Sequence, residues 1–352
     1  MRAEHKDASI GCRDAVKVRE ASMNKLYDVL GAGIAAVDDL IYVSDFPPVD
    51  CKVPVHGSIR QGGGPACTAI AATGSLGGRA AYVARFGEDE LSKYIASALD
   101  HRGVDISHIV HDPAGGPYHS IIVVDGSGHR NVFYDPALYR VVTAHDLPDM
   151  LIRSATLVLL DHITEPSLSA VAEKVHSLGV PILGDIEGRS ESAINLAALT
   201  DYLIVPKAFA TWASHTSDPR EACAFLAGTQ RLATVVTDGS EGCYFSTKAD
   251  PAVRHFPAFK VDVFDTNGCG DTFHGSFALA VARNLAVEEA IVFASAAAAL
   301  KAMAAGGQRR GWNALPTFDD VFQFLQATLK EPARSSLLEK LGALRTPAQS
   351  TR

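Results

Sequence analysis

Apolar positions along the chain fall into short runs, and most of these runs are separated by segments with helical spacing. The runs at 27–34 (YDVLGAGI), 80–87 (AAYVARFG), 156–161 (TLVLLD), 180–185 (VPILGD), 201–206 (DYLIVP) and 232–239 (LATVVTDG) predict strands. A small-residue helix is predicted over 66–76. Another covers 271–283, where Phe273, Phe277 and Ala280 can share a face. A third, alanine-rich, covers 287–305 and should end at Gly306-Gly307. This alternation predicts an α/β fold with a mainly parallel central sheet flanked by helices. Two places break it. Residues 39–60 read as an extended hairpin, and 119–135 as two alternating runs around Asp-Gly-Ser-Gly. They predict a small β-sheet beside the main body, either a lid or an ordinary sheet extension.

Composition bounds the rest. The first 25 residues are polar, lack the apolar core of a secretory signal, and read as a disordered arm. Residues 26–330 form the predicted domain. Residues 331–352 are a peripheral tail with one amphipathic piece, SSLLEKLGAL. A formal net charge of -8 argues against a nucleic-acid partner. No apolar run approaches the ~20 residues of a membrane span. The six cysteines are scattered without Cys-x-x-Cys, which disfavours a zinc or disulfide framework and points to the reduced cytoplasm. His101, His108 and His111 lack a shared face and a carboxylate anchor, so they read as solvated surface.

The candidate chemistry lies at 265-DTNGCGDTFHGSF-277. Gly268 and Gly270 make a turn at the start of a helix, where backbone N–H groups converge and negative charge is favoured. Asp271 there is either a helix-start residue or a base. QGGGPACTA at 61–69 is a second glycine turn before a helix. VTDGSEG at 236–242 is a third, after a buried strand. Three such turns at strand ends suit a ligand carrying several phosphates beside a polyol.

Asp265-Thr266-Asn267-Gly268-Cys269-Gly270-Asp271-Thr272-Phe273 resembles the signature Asp-Thr-x-Gly-Ala-Gly-Asp-x-Phe of the ribokinase-like (PfkB-type) carbohydrate kinases. Gly33 with Asp38, the glycine turn at 62–65, the segment 85–89 and the turn Thr237–Gly242 follow in the family's order, so the resemblance covers roughly 28–328. It implies that Asp271 deprotonates a sugar hydroxyl that attacks the γ-phosphorus of ATP. The N–H groups of Gly268, Cys269 and Gly270 would form the anion hole. Mg²⁺ would accompany ATP. Asp38, Gly63, Gly64 and Thr68 would hold the sugar. Thr237, Gly239, Gly242, Lys207 and Ser295 would face the nucleotide. Asp265 and Asn267 match positions that ligate a monovalent ion, which opens a place for K⁺. The β pieces become a lid, which could cover its own cleft or pair with a second subunit as a homodimer.

The chain departs from the family pattern at four points. Thr68 replaces the usual Asn, and Cys269 replaces Ala beside a helix N-terminus, where a thiol can acidify. Lys207 and Ala210 stand where many members have Asn-x-x-Glu, and Ser92 where Gly is common. Within the family the chain looks nearest to sulfofructose kinases and ketohexokinases. Lys52 matches a sulfonate-binding lysine of the former, yet it reads equally as a solvated lid charge, and Tyr134 and Ile163 stand where sulfonate contacts are expected. A ketose or related sugar is therefore the expected acceptor. Two alternatives stay open: a non-catalytic sensor of the same fold, and an NAD-dependent dehydrogenase suggested by Gly31-Ala-Gly33-x-x-Ala36. The latter requires a helix next, and the residues that follow are β-rich.

Overall fold

The computed structural model describes residues 25–126, 129–161, 166–228, 230–304 and 306–345. Residues 1–24 of the predicted amino-terminal arm and Ile163 lie outside them. The chain opens with β1 (Tyr27–Ala32), then β2 (Ala36–Tyr42) and β3 (Gly57–Gly63). The Gly31-Ala-Gly33 turn thus leads into a strand, as its β-branched sequel requires, and not into the helix of a dinucleotide fold. Helix α1 (Pro65–Ser75) starts at Pro65, which suits a first helical position, and Gly64 before it has φ 86°. Next come β4 (Ala80–Val83), β5 (Arg85–Phe86), α2 (Glu90–Asp100), capped by Asp89, then β6 (Val104–Asp105) and β7 (Val110–His111). The second hairpin is β8 (Tyr118–Val124) with β9 (Arg130–Asp135).

From there strand and helix alternate: α3 (Asp149–Ser154), β10 (Ala155–Asp161), α4 (Pro166–Ser177), β11 (Ile182–Asp185), α5 (Glu191–Ala198), β12 (Tyr202–Pro206), α6 (Lys207–Ser214), α7 (Pro219–Ala227) and β13 (Ala233–Thr237). An antiparallel pair, β14 (Cys243–Thr247) and β15 (Arg254–Phe256), closes that edge. The chain ends with α8 (Cys269–Ala282), α9 (Val287–Met303), α10 (Phe318–Thr328) and α11 (Ala333–Leu344). Among the described residues the main sheet has the order β15-β14-β13-β12-β11-β10-β1-β4-β6, parallel from β13 to β6. Its central strands are buried on both faces, which explains their continuous apolar runs. One core cluster, on the face covered by α1 and α8–α11, holds Phe277, Phe293 and Ile70; a second, on the other face, holds Leu160, Val171 and Phe209.

The two β-rich interruptions form a separate sheet of order β3-β2-β8-β9. Each is a hairpin, and β2 and β8 join them in parallel register, with Asp38 opposite Ser120. Two sequence expectations need correction. Helix α9 stops at Met303, with Ala304 rather than a glycine as its left-handed residue. The tail contributes a docked helix: Leu337 and Leu341 of α11 are buried in the core, which is what its amphipathic pattern is for. Among the described residues no helix is long and apolar enough to cross a membrane.

Helices α1 and α8 approach unusually closely. A Cβ at Gly275 would lie 1.9 Å from the carbonyl oxygen of Ala69, and the Thr73 hydroxyl donates to the Gly275 carbonyl at 3.0 Å. Gly275→Ala should therefore lower the unfolding free energy by about 2–3 kcal/mol, as overpacking does. Urea denaturation checks it; a loss below about 0.5 kcal/mol, the range of an indifferent surface change, would contradict the packing.

Candidate active site

Helix α8 begins at Gly268, whose φ of 74° is open to glycine and costly for other residues. The first-turn amides of Gly270 and Asp271 precede any i−4 carbonyl within the helix, so they are open to an anion. The Cys269 N–H leans on the Thr266 carbonyl at 3.3 Å and contributes less. Two cavities share Gly270 of this turn. The smaller, about 260 Å³, is lined by Asp38, Gly63, Gly64, Thr68 and Asp271 and is roofed by the four-stranded sheet through Asp38 and Arg130. The larger, about 380 Å³, is lined by Thr237, Gly239, Gly242, Ser295, Cys269 and Phe273. Thr266 and Gly270 line both, so the start of α8 is the wall between them.

Parallel strands deliver acids to this wall. Asp161 ends β10 and Asp185 ends β11, both fully buried, and Glu187 follows in the loop and lines the smaller cavity. Asp161 is part of the scaffold: its Oδ2 accepts from the amides of Ile34 and Ala66, tying the β1–β2 turn to the start of α1. Burial pushes the Asp271 carboxyl well above the usual range, and Asp185, Glu187 and Asp161 add to this, while the Lys301 ammonium opposes it. Asp38 is 7% exposed, and burial pushes it up to about 6, against hydrogen bonds from Ser120 and Gln61. Gly63 is glycine because a Cβ would lie 2.3 Å from the Asp38 carboxylate. Thr68 keeps a polar role, accepting from the Trp312 indole N–H at 3.1 Å, and the Trp312 ring lies where a Gly62 side chain would stand.

Some expected residues stand elsewhere. Lys52 is exposed on the loop between β2 and β3 and does not line either cavity. Lys207 reaches the Thr237–Gly242 turn indirectly, through an ion pair of 2.9 Å with Asp238. Tyr134 lies exposed on β9, stacked on Tyr118. The Cys269 thiol, expected to be acidified by the helix start, is instead pushed up to about 11 by burial. His274 is buried beneath the wall: its Nδ1–H donates to the Gly270 carbonyl at 2.7 Å, and Nε2 stands 3.4 Å from Asp185. Asp265 Oδ1 accepts from the Asn267 amide at 2.9 Å. Gln61, Arg130, Glu187 and Lys301, which the sequence did not single out, also line the smaller cavity, as does the core residue Trp312. For Lys301 a signal existed: it is the one cation in the run FASAAAALKAMAAG.

The comparisons agree with this architecture. A family model described as pfkB family carbohydrate kinase matches residues 16–313. Fructokinase-2 of Oryza sativa subsp. japonica is 28% identical over 314 residues, covering 79% of this chain and 92% of the relative. The ATP-dependent ribose-1-phosphate kinase of Halopiger xanaduensis is 27% identical over 313 residues, covering 84% and 97%. Among solved structures, a candidate ribokinase from Agrobacterium tumefaciens superposes with a TM-score of 0.75 at 29% identity, covering 88% of this chain and 98% of that one. The Arabidopsis thaliana ribokinase complexed with ribose and ATP gives 0.74 at 22% identity, covering 86% and 99%, a likeness of fold.

The raised Asp38 carboxyl has a measurable consequence. Its folded value of about 6 lies above the unfolded 3.8, so its contribution to stability is fully present below about pH 4 and is lost as pH rises through about 6. Between pH 4 and pH 7 the wild type should lose on the order of 3 kcal/mol more unfolding free energy than Asp38→Asn. Equal pH slopes for the two proteins in denaturant titrations would contradict the burial of this carboxylate.

Proposed function

The chain belongs to the pfkB family of carbohydrate kinases, and we propose that it transfers the γ-phosphoryl group of MgATP to a hydroxyl of a small sugar, a ketose or a related carbohydrate, bound under the lid. The observation that carries this reading is the shared wall. A small polar cavity with Asp38 and Asp271 meets a larger, more apolar one with Thr237, Gly242 and Ser295, and only the first turn of α8 lies between them.

The roles follow from that arrangement. Asp38, Gln61 and the backbone at Gly63 and Gly64 orient the sugar hydroxyls. Asp271, with its proton affinity raised by burial and neighbouring acids, takes the proton of the attacking hydroxyl, while Lys301 favours its ionised form. The Gly268–Gly270 turn aims amide dipoles at the phosphoryl oxygens as charge shifts in the transition state. Magnesium bound with ATP would neutralise phosphate charge. Glu187 and Asp271 suit such an ion, since Mg²⁺ keeps several waters and takes one or two carboxylates besides phosphate oxygens. Among the described residues no three His, Cys, Asp or Glu side chains converge into a metal cage. The expected Asn-x-x-Glu is replaced by Lys207 and Ala210, so Glu187 is the acid we assign to the metal-bearing phosphates. Specificity within the family, including a sulfonated ketose, would be set by Arg130, the cation that the lid brings to the sugar cavity.

The lid's outer face supports a homodimer. Ile121 and Phe133 are register partners on adjacent strands, and both are exposed, Phe133 at 61%. Phe133→Lys should convert a dimer to a monomer in sedimentation; a wild type that is monomeric at high micromolar concentration would exclude this pairing.

Asp271→Asn should reduce phosphoryl transfer by about 10³-fold or more, within the range of a lost general base. MgATP affinity should stay near the wild-type value. A coupled ADP assay over ketoses, aldoses, nucleosides and sulfosugars, with calorimetry for MgATP, reads both. Undiminished turnover in the variant would remove the proposed base.

A further inference from the structure

Lys301 is out of place in alanine-rich α9. A lysine in a last helical turn ordinarily runs its stem along the surface and leaves its ammonium in water, complementing the carbonyl end of the helix. Lys301 is 1% exposed instead. Among the described residues its Nζ has no hydrogen-bond partner; neither has Asp265 Oδ2, which stands 3.5 Å away. The stem passes beneath the wall: a Cβ at Gly268 would lie 3.8 Å from Lys301 Cε. Lys301 is a lining residue of the smaller cavity together with Asp271. The amides of Phe264 and Asp265 both donate to the carbonyl of Ala302, so the segment carrying the acid is strapped to α9 one residue beyond the lysine.

Asp265 and Asn267 are the residues on which the family resemblance places a monovalent ion. They do not fit one here. Asp265 Oδ1 is occupied by the Asn267 amide, and Oδ2 already faces a fixed positive charge. A metal ion at that carboxylate would sit within a few ångströms of the ammonium, where like charges repel strongly away from water. We propose that Lys301 is the resident cation of this site, a tethered ammonium that holds Asp265 and the 266–268 turn in place of a monovalent metal ion, so that phosphoryl transfer by this protein needs no potassium. Lys301 is thus a positioning residue, acting on the anion-binding turn through Asp265. The inference rests on the kinase reading of the site, but its test also has a readout independent of turnover.

The full chain is compared in potassium, sodium and choline chloride at equal ionic strength, by thermal unfolding and by coupled ADP release. The wild type should melt at the same temperature in all three salts, and its kcat/KM should agree within about twofold, because no ion is bound specifically. Stimulation of the wild type by potassium of about tenfold or more over choline, or a specific potassium-induced rise in melting temperature, would overturn the proposal. Lys301→Met keeps the length and removes the charge, leaving the buried Oδ2 of Asp265 without its cation. In choline it should melt lower and lose about tenfold or more of kcat/KM, and potassium or ammonium should recover both. The double variant Asp265→Asn/Lys301→Met should lose the response to potassium. A methionine variant that equals the wild type in choline, or that potassium does not restore, would overturn the assignment. Should that variant not fold, the wild-type salt series and Lys301→Arg, expected to remain potassium-independent, still decide. If no sugar is phosphorylated in any salt the kinase reading fails, while the melting shifts go on testing the cation.

Discussion

Helices α1 and α8 lie so close that the carbonyl of Ala69 fills the space a side chain at Gly275 would need, and the site depends on that contact. Thr68 sits one residue before Ala69 on α1, and Asp271 one helical turn before Gly275 on α8. Locking the helices together there fixes the span between the glycine turn that starts one and the acid of the other. Small residues permit the approach, and the Thr73 hydroxyl bond to Gly275 sets its register. A wall one helical turn thick can then separate two cavities and still let reacting atoms meet across it.

The same wall concentrates charge that burial disfavours. Asp161, Asp185, Glu187 and Asp271 converge at the carboxyl ends of parallel strands and the start of a helix, the place where open α/β sheets bind ligands. The acids are handled differently. Asp161 is spent on backbone amides and is structural. Asp185 stands against the His274 ring, and burial drives it toward its neutral form. Asp271 alone combines raised proton affinity with a place in the cavity lining beside open amides. Lys301 is the buried positive charge beside them, and its partner Asp265 begins the segment that leads into the first turn of α8.

Much of this was legible in the sequence because backbone geometry announces itself. Continuous apolar runs in β10 to β13 follow from burial on both faces, and glycine at 63, 64, 268 and 242 from carboxylates, carbonyls or left-handed turns that exclude a side chain. The two hairpins were visible as alternation, but their union through the parallel β2–β8 pair was not, since register between distant strands has no local signature. The residues missed reach the site from far along the chain: Arg130 from the four-stranded sheet, Glu187 from a loop. Cys269 was misjudged because a helix start acidifies a thiol only where burial does not outweigh it. Lys301 was hidden in a helix whose polar and apolar faces are hard to tell apart, so that only tertiary packing reveals the direction of its side chain.

In the proposed reaction an acceptor hydroxyl and the terminal phosphate of a nucleotide meet at the first turn of α8. A crystal structure of the protein with a non-hydrolysable ATP analogue, Mg²⁺ and a sugar selected by the acceptor screen tests it most directly. The proposed reaction requires the γ-phosphate on the open amides of Gly270 and Asp271, the base and ribose between Thr237 and Ser295, and one sugar hydroxyl within about 3.2 Å of the Asp271 carboxylate. A nucleotide bound away from that turn, or a sugar whose hydroxyls all lie beyond reach of Asp271, would contradict it.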